Sequence, residues 1–342
     1  MKAITYHGRR DIRMEEFPLP EPGADEVRIA VKDTLLSQFI IDIYLEGHLV
    51  DVSKPHPVTQ IGLGFVLGQQ YGGLIDKVGE NVDAQRVGEY VAVAPGIGCK
   101  KCDHCRAGYL NYCELFSYHG MIGCHGGMAE ACVLPSANAI TVPNGQWGLM
   151  FECLLVVKSL LRKSEPWIGK GDPVLILGAG PIGLSAAILL RQLYDVDYCI
   201  YDILPERLKR ASDCGFHTVS ASGLEKQYHL VLDCAGTNPE TGGSAFMDGL
   251  KCVGKSGALM FVGTYLHTTT ITPLELLVNE ITIGGSYAYT DQDLSQLVAN
   301  MGSINLEIGS LIENLSLDQI IAEGLLRGEV DRDSFTILAV SQ

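Results

Sequence analysis

The segment PVLILGAGPIG (173–183) limits what this chain can fold into more than any other stretch. Its first five residues are apolar and β-prone and read as a buried strand. Gly178-Ala179-Gly180-Pro181-Ile182-Gly183 follows as a G-x-G-x-x-G turn, and Ile182 to Tyr194 reads as a helix. YCIY (198–201) is a second strand, and Asp202 ends it 19 residues beyond Gly183. A strand, a glycine turn, a helix and an acid closing the next strand form the context that a dinucleotide-binding turn requires. Gly178 permits the tight turn, Gly180 lets backbone approach a pyrophosphate, and Gly183 allows helix to pack on strand. Pro181 and Ile182 open the helix, whose unpaired N–H groups and dipole favour phosphate. Asp202 is suited to accept from both ribose hydroxyls and to repel a 2′-phosphate, which favours NAD(H). Arg207, one turn into the next helix, either packs on adenine or stands in solvent. The bland alternative for the whole motif is an ordinary strand–helix turn.

The alternation continues. PERLKRASDCG reads as a helix, and HLVLDCAG (229–236) and GALMFVG (257–263) read as strands with a helical segment between them. Strands alternating with helices imply a parallel sheet. The first half differs. Lys2–Tyr6, Glu26–Val31, Tyr90–Ala94 and Glu130–Leu134 are short β-prone runs punctuated by Gly and Pro, which predicts a largely antiparallel β domain. The last fifty or so residues are mixed, with a helical SLDQIIAEGLLRG (316–328) and a strand-like FTILAV (335–340).

Four of the eleven cysteines, Cys99, Cys102, Cys105 and Cys113, crowd into GCKKCDHCRAGYLNYC. This C-x2-C-x2-C-x7-C set can complete a tetrahedral shell around Zn²⁺ with no open position, which makes the site structural. The alternative is a loop of reduced, unliganded thiols. The other seven cysteines mostly sit in apolar runs and read as small buried residues.

At 342 residues the chain is long enough for about two domains. A formal net charge of −15 argues against nucleic acid and anionic membranes as partners, because the Lys and Arg surplus they need is missing. MKAITYHGRRDIRMEEF carries no apolar signal core, so a cytoplasmic location with reduced cysteines is expected. Pro173–Leu190 lacks charge over 18 residues, but its three glycines and Pro181 fit strand, turn and buried helix better than a membrane span.

The order of a β domain with a cysteine lobe, a dinucleotide fold and a returning tail resembles the zinc-containing medium-chain dehydrogenase/reductase family, especially its polyol, threonine and sugar dehydrogenase branch. The opening MKAITYHGRRDIRMEEFPLPEPGADEVRIAVK looks like the family's first strands, and Gly126-Gly127-Met128-Ala129-Glu130 is similar to its GGFAE turn. The resemblance implies an α/β protein with a GroES-like β domain over 1–152, holding a structural zinc lobe at about 95–115. It further implies a Rossmann, doubly wound parallel-sheet domain over 153–290 and a segment over 291–342 that returns to the first domain. It also implies one structural zinc per chain, NAD(H), a small-molecule substrate, and a homodimer or homotetramer.

The family normally carries a second, catalytic zinc, and here its ligand segments are altered. Ser37 stands at the cysteine position, Gln69 and Gln70 replace the His and Glu of G-H-E, and Glu152 alone matches the family carboxylate. Serine is not a thiolate at neutral pH, and a neutral amide is a poor zinc ligand beside imidazole. A rebuilt metal site would need Glu152 with Asp42, His125 or Cys153. Otherwise Ser37 and Gln69 can position hydrogen bonds, Glu152 can act as acid or base if burial raises its pKa, and Tyr44, Tyr71 or Lys158 can supply a proton or stabilise an oxyanion. Each also has an ordinary structural role open to it. The expected function is hydride transfer between nicotinamide and a small alcohol or carbonyl compound, polyol- or sugar-like, without a catalytic zinc. The alternatives are zinc-independent reduction of an activated C=C or C=N bond, and a dinucleotide-binding protein without catalysis.

Overall fold

The structure is a computed structural model that describes residues 1–48, 50–169, 173–225, 227–236, 244–265, 268–326 and 337–341. The backbone falls into two compact units, Met1–Glu152 with Ile312–Gln342, and Cys153–Leu311. The division lies inside the helix Gly145–Ser164.

The first unit is built on the strand Glu26–Leu35, whose Val27, Ile29 and Val31 are buried in alternation, as one covered face requires. It pairs antiparallel with Tyr71–Val78 on one side. On the other side Ala131–Pro135 covers its first half and Ile337–Ser341 its second. Tyr90–Val93 and Ala139–Thr141 extend the sheet at one end, and Ile312–Ser316, parallel to Ile337–Ser341, at the other. Lys2–Gly8, Asp11–Glu16 and Phe65–Val66 form a second sheet, and Gly96–Ile97, Ser117–His119 and Gly123–Cys124 a third. The antiparallel β unit expected from the sequence is therefore present.

In the second unit five parallel strands lie in the order Tyr198–Tyr201, Val174–Leu177, Tyr228–Asp233, Val253–Phe261, Thr282–Gly285. All four residues of Val174–Leu177 are buried, as a central strand covered on both faces demands. The winding reverses between this strand and Tyr228–Asp233, so the crevice outside their carboxyl ends is the ligand position of a doubly wound sheet. Outside Tyr198–Tyr201 a further strand shrinks to one parallel bridge, Ile200 to Thr218.

Three readings change in detail. The helix expected over 182–194 is α-helical only from Pro181 to Leu189. It then widens into a π turn, Leu190–Tyr194, and stops at Asp195 in a left-handed conformation. Residues 291–311, expected in the returning segment, stay with the second unit. Asp293 on the helix Asp291–Asn300 pairs with Arg162, and Gln192 bonds Asn305 through both its amide atoms. The helix expected over 316–328 is a short 3-10 turn, Leu317–Gln319, followed by a π turn, Ile320–Leu325, whose Ile320 and Leu325 bury in one cluster with Leu36. Residues 327–328 and 335–336 of the two tail readings lie outside the described residues. Among the described residues no helix is long and apolar enough to cross a membrane.

Candidate functional site

The cysteine lobe gathers its four sulfurs within 4.8 Å of one another. A 3-residue C-x-x-C spacing lets backbone fold around each sulfur. Cys99 Sγ accepts from the N–H of Lys101 (3.4 Å) and Cys102 (3.3 Å), Cys102 Sγ from Cys105 N (3.4 Å), and Cys113 Sγ from Cys99 N (3.4 Å). These donors lower the Cys99 pKa to about 6, while burial pushes Cys105 up to about 12. Sulfurs converging at this range, each met by amide donors, fit a closed tetrahedral Zn²⁺ site. Among the described residues no second group of three or more His, Cys, Asp and Glu side chains converges in this way.

The residues at the altered ligand positions are brought together in two pairs, one buried and one part-buried. Gln69 and Gln70 precede the strand Tyr71–Val78 and are 3% and 4% exposed. The Gln70 carbonyl is fixed by Leu35 N (2.8 Å) and Thr34 Oγ1 (3.0 Å), which sends the two side chains in different directions. Gln70 Nε2 donates to Glu152 Oε2 at 2.6 Å, and Tyr118 Oη donates to Glu152 Oε1 at 2.6 Å. Glu152 is 6% exposed, and burial raises its pKa against the pull of these two donors. Gln69 Nε2 donates to Ser37 Oγ at 3.2 Å. Ser37 sits at the N-cap of the helix Gln38–Glu46 but makes no side-chain cap bond. Tyr118 was not anticipated: it comes from the strand Ser117–His119, and nothing in sequence spacing links it to Glu152.

The remaining proton-donor and ligand readings resolve into structural roles. Tyr71 is fully buried and donates to Cys132 Sγ at 3.2 Å, and burial holds its pKa well above normal. Tyr44 packs against the Ile40–Ile43 core. Lys158 is buried and donates to Tyr194 Oη at 3.0 Å rather than snorkelling to solvent. His125 Nδ1 accepts from Val66 N at 3.1 Å, and Asp42 accepts from Gln38 at 3.0 Å. Cys153 is buried.

In the second unit, Gly178 has φ +103°, and a Cβ on Gly183 would stand 1.8 Å from the Gly178 carbonyl oxygen. No side chain fits there, so the turn and the helix Pro181–Leu189 close as one piece. Gly180 N-caps that helix with open space where its Cβ would be, and Pro181 takes the first turn. Asp202 Oδ2 accepts from Ala179 N at 2.7 Å and Oδ1 from Leu204 N at 2.9 Å. The acid is thus pinned beside the glycine turn. Arg207 is partly buried on the helix Pro205–Asp213. Asp233, missed from the sequence, ends its strand fully buried and accepts from Tyr265 Oη and from Ala235 N at 3.0 Å. Ala235 in turn touches the Gly178 position, so Asp233 shapes the opposite wall of the crevice.

Residues 23–144 match the family described as "Alcohol dehydrogenase GroES-like domain". The chain is 33% identical over 219 residues to the starvation-sensing protein RspB of Escherichia coli (strain K12), across 63% of this chain and 61% of that protein. It is 26% identical over 301 residues to the (R,R)-butanediol dehydrogenase of Bacillus subtilis (strain 168), across 85% of each. The crystal structure of rspB from E. coli CFT073, described as a short chain alcohol dehydrogenase complexed with cofactor NADH, superposes with a TM-score of 0.82. That match has 24% identity and covers 100% of this chain and 99% of that one. With its doubly wound parallel sheet and four-cysteine lobe, the chain is similar in sequence and fold to these proteins, and its first unit contains the stretch that matches the alcohol dehydrogenase GroES-like domain.

Proposed function

We propose that this protein is an NAD(H)-dependent oxidoreductase acting on a small alcohol or carbonyl compound without a catalytic zinc. The observation that carries the reading is the Gln70–Glu152–Tyr118 cluster: the carboxylate that would ligate a metal is instead bonded on both oxygens by neutral donors. A bound nicotinamide supplies or accepts the hydride. The residues of the chain do the rest. Gly178, Gly180, Pro181, Ile182 and Gly183 offer backbone to the pyrophosphate, and Asp202 selects the ribose diol over a 2′-phosphate. Glu152, with its elevated pKa, takes or gives the proton, and Ser37 and Gln69 bond the substrate oxygen. Cys99, Cys102, Cys105 and Cys113 hold one structural zinc. Substrates related to the diol named for the Bacillus relative are the first choice.

The test is turnover by purified protein with NAD⁺ and 2,3-butanediol, sorbitol and related polyols, run with metal analysis. One zinc per chain and activity that survives mild chelation support the reading. Two tightly held zincs, or activity lost to chelator and restored by Zn²⁺ with the lobe still loaded, overturn it. NADH consumption with enones or imines and no alcohol oxidation would move the assignment to reduction of an activated double bond.

The reading extends to a cytoplasmic homodimer or dimer of dimers. What supports assembly is the helix Pro273–Asn279, with Leu274, Leu277 and Val278 all more than 60% exposed, near the edge strand Thr282–Gly285. Light scattering at micromolar concentration showing a monomer would refute this part.

A further inference from the structure

The Ser37–Gln69 pair carries an unmet hydrogen-bonding demand. Gln69 is 3% exposed, yet its Oε1 has no partner, a costly condition for a buried amide oxygen. Ser37 is only part-buried, so the pair is reached from its serine side. A serine at an N-cap ordinarily spends its oxygen on the first-turn N–H groups of its helix. Ser37 does not; its oxygen receives Gln69 Nε2 at 3.2 Å, and among the described residues its own hydroxyl hydrogen has no acceptor. Two independent features, an orphaned acceptor and a cap residue diverted from capping, thus leave a free acceptor atom beside a free hydroxyl donor.

Rotating the Gln69 amide by half a turn preserves this count. Ser37 then donates to Gln69 Oε1, the amide N–H₂ becomes the free donor, and Ser37 Oγ becomes the free acceptor. In both orientations the pair is neutral and leaves at least one donor and at least one acceptor unmatched. A hydroxyl group uses both at once. A carbonyl oxygen can only accept and leaves the pair's acceptor unpaired.

We infer that Ser37 and Gln69 form a hydroxyl-binding clasp that holds an alcohol in preference to the ketone of the same skeleton. This deepens the oxidoreductase reading, on which it rests for its biological meaning: the group recognised at this position is the substrate's hydroxyl. The clasp sets the relative affinity of the two redox forms, binding the alcohol more tightly, and does so without charge.

The test uses 2-propanol and acetone as probes, since they match in size and differ by the O–H. Titration of the full-length protein followed by NMR should show saturable binding of 2-propanol about ten-fold tighter than acetone. Ser37→Ala and Gln69→Met should each bring the two affinities together, with the thermal midpoint of each variant reporting that the fold is intact. Crystals soaked in 2-propanol should place its oxygen within hydrogen-bond distance of both side chains. Equal affinities in the wild type, a preference that persists in both variants, or no saturable binding of either probe overturns the clasp. The outcome is separable from the oxidoreductase reading. A clasp with no NAD(H) turnover leaves a hydroxyl-binding site on a non-catalytic protein, whereas turnover with no alcohol preference removes the clasp and keeps the enzyme.

Discussion

The cysteine lobe and the Glu152 pocket belong to the same unit and solve opposite problems. The lobe brings four sulfurs within 4.8 Å, a set that would be mutually repulsive as thiolates and that a bound cation would make favourable. The pocket holds one buried carboxyl group and satisfies it with an amide and a phenol. A buried carboxylate stripped of its partners is among the more destabilising changes a protein can suffer. Glutamine at position 70 answers that: it keeps roughly the volume of a glutamate and supplies the donor that Glu152 needs. On the proposed zinc-free reading, the comparison teaches that a metal-site frame can outlast the metal's ligands if the carboxyl group left behind is given hydrogen bonds. The strand Ser117–His119 joins the two regions, pairing with Gly96–Ile97 beside the lobe while Tyr118 reaches Glu152.

The largest effect should come from the lobe. Cys105→Ser should reduce zinc from one per chain to none and loosen the loop, because ligation there is folding energy, on the order of 10 kcal/mol for structural zinc. Metal analysis and hydrogen exchange over 99–113 check it; slow exchange without zinc would break the contrast between the regions. The joining strand gives the next effect. Burial holds the His119 pKa at about 4, below its ordinary 6.5. Between those values the unfolded chain binds a proton that the folded chain does not, so stability is lost as pH falls through that window, by at most about 3 kcal/mol. Chemical denaturation at pH 7 and pH 5 should show the loss, and His119→Asn should flatten it.

Glu152→Gln sharpens the pocket side. If Glu152 moves the proton, turnover should fall about 10²-fold or more. Its folded pKa is raised, so its stabilising contribution is present at low pH and lost as pH rises through that elevated value. The glutamine variant should therefore be no less stable than wild type at pH 8. A kinetic loss without a thermal one marks a working group; unchanged kinetics would mark Glu152 as a relic. The smallest effect is expected in the other unit, where Asp202→Ala should narrow the NAD(H)-over-NADP(H) preference about ten-fold, read by titration of both cofactors. A wild-type protein that binds NADPH as tightly as NADH would remove the role given to Asp202.

The parts legible in the sequence are those in which short-range spacing dictates geometry. Gly178 to Gly183 form the expected strand–helix turn and the four cysteines converge as expected, because each is completed within one turn or loop. Alternating strands and helices gave away the parallel sheet for the same reason. The pocket was only half legible. Ser37, Gln69 and Glu152 could be picked out by resemblance, but their pairing could not, because residues 32 and 82 positions apart meet only once the sheet is built. Tyr118 and Asp233 carried no local signal at all; a tyrosine in an apolar run and an acid at a strand end look like core and cap. The π turns at Leu190–Tyr194 and Ile320–Leu325 were read as ordinary helix, since apolar periodicity scarcely distinguishes a wide turn from an α-helical one.

The strand Ile337–Ser341 lies against Asp33–Leu35, roughly three hundred positions earlier in the chain. During synthesis the second unit, Cys153–Leu311, is one continuous stretch and is complete on the nascent chain before that strand has been translated. The first unit begins earlier and finishes later. Until the tail emerges, half of the strand Glu26–Leu35 waits with an unpaired edge, open to aggregation or to a chaperone. The older half of the polypeptide is thus the last to mature, and a chain terminated after Leu311 would carry a complete second unit tethered to an unsealed sheet.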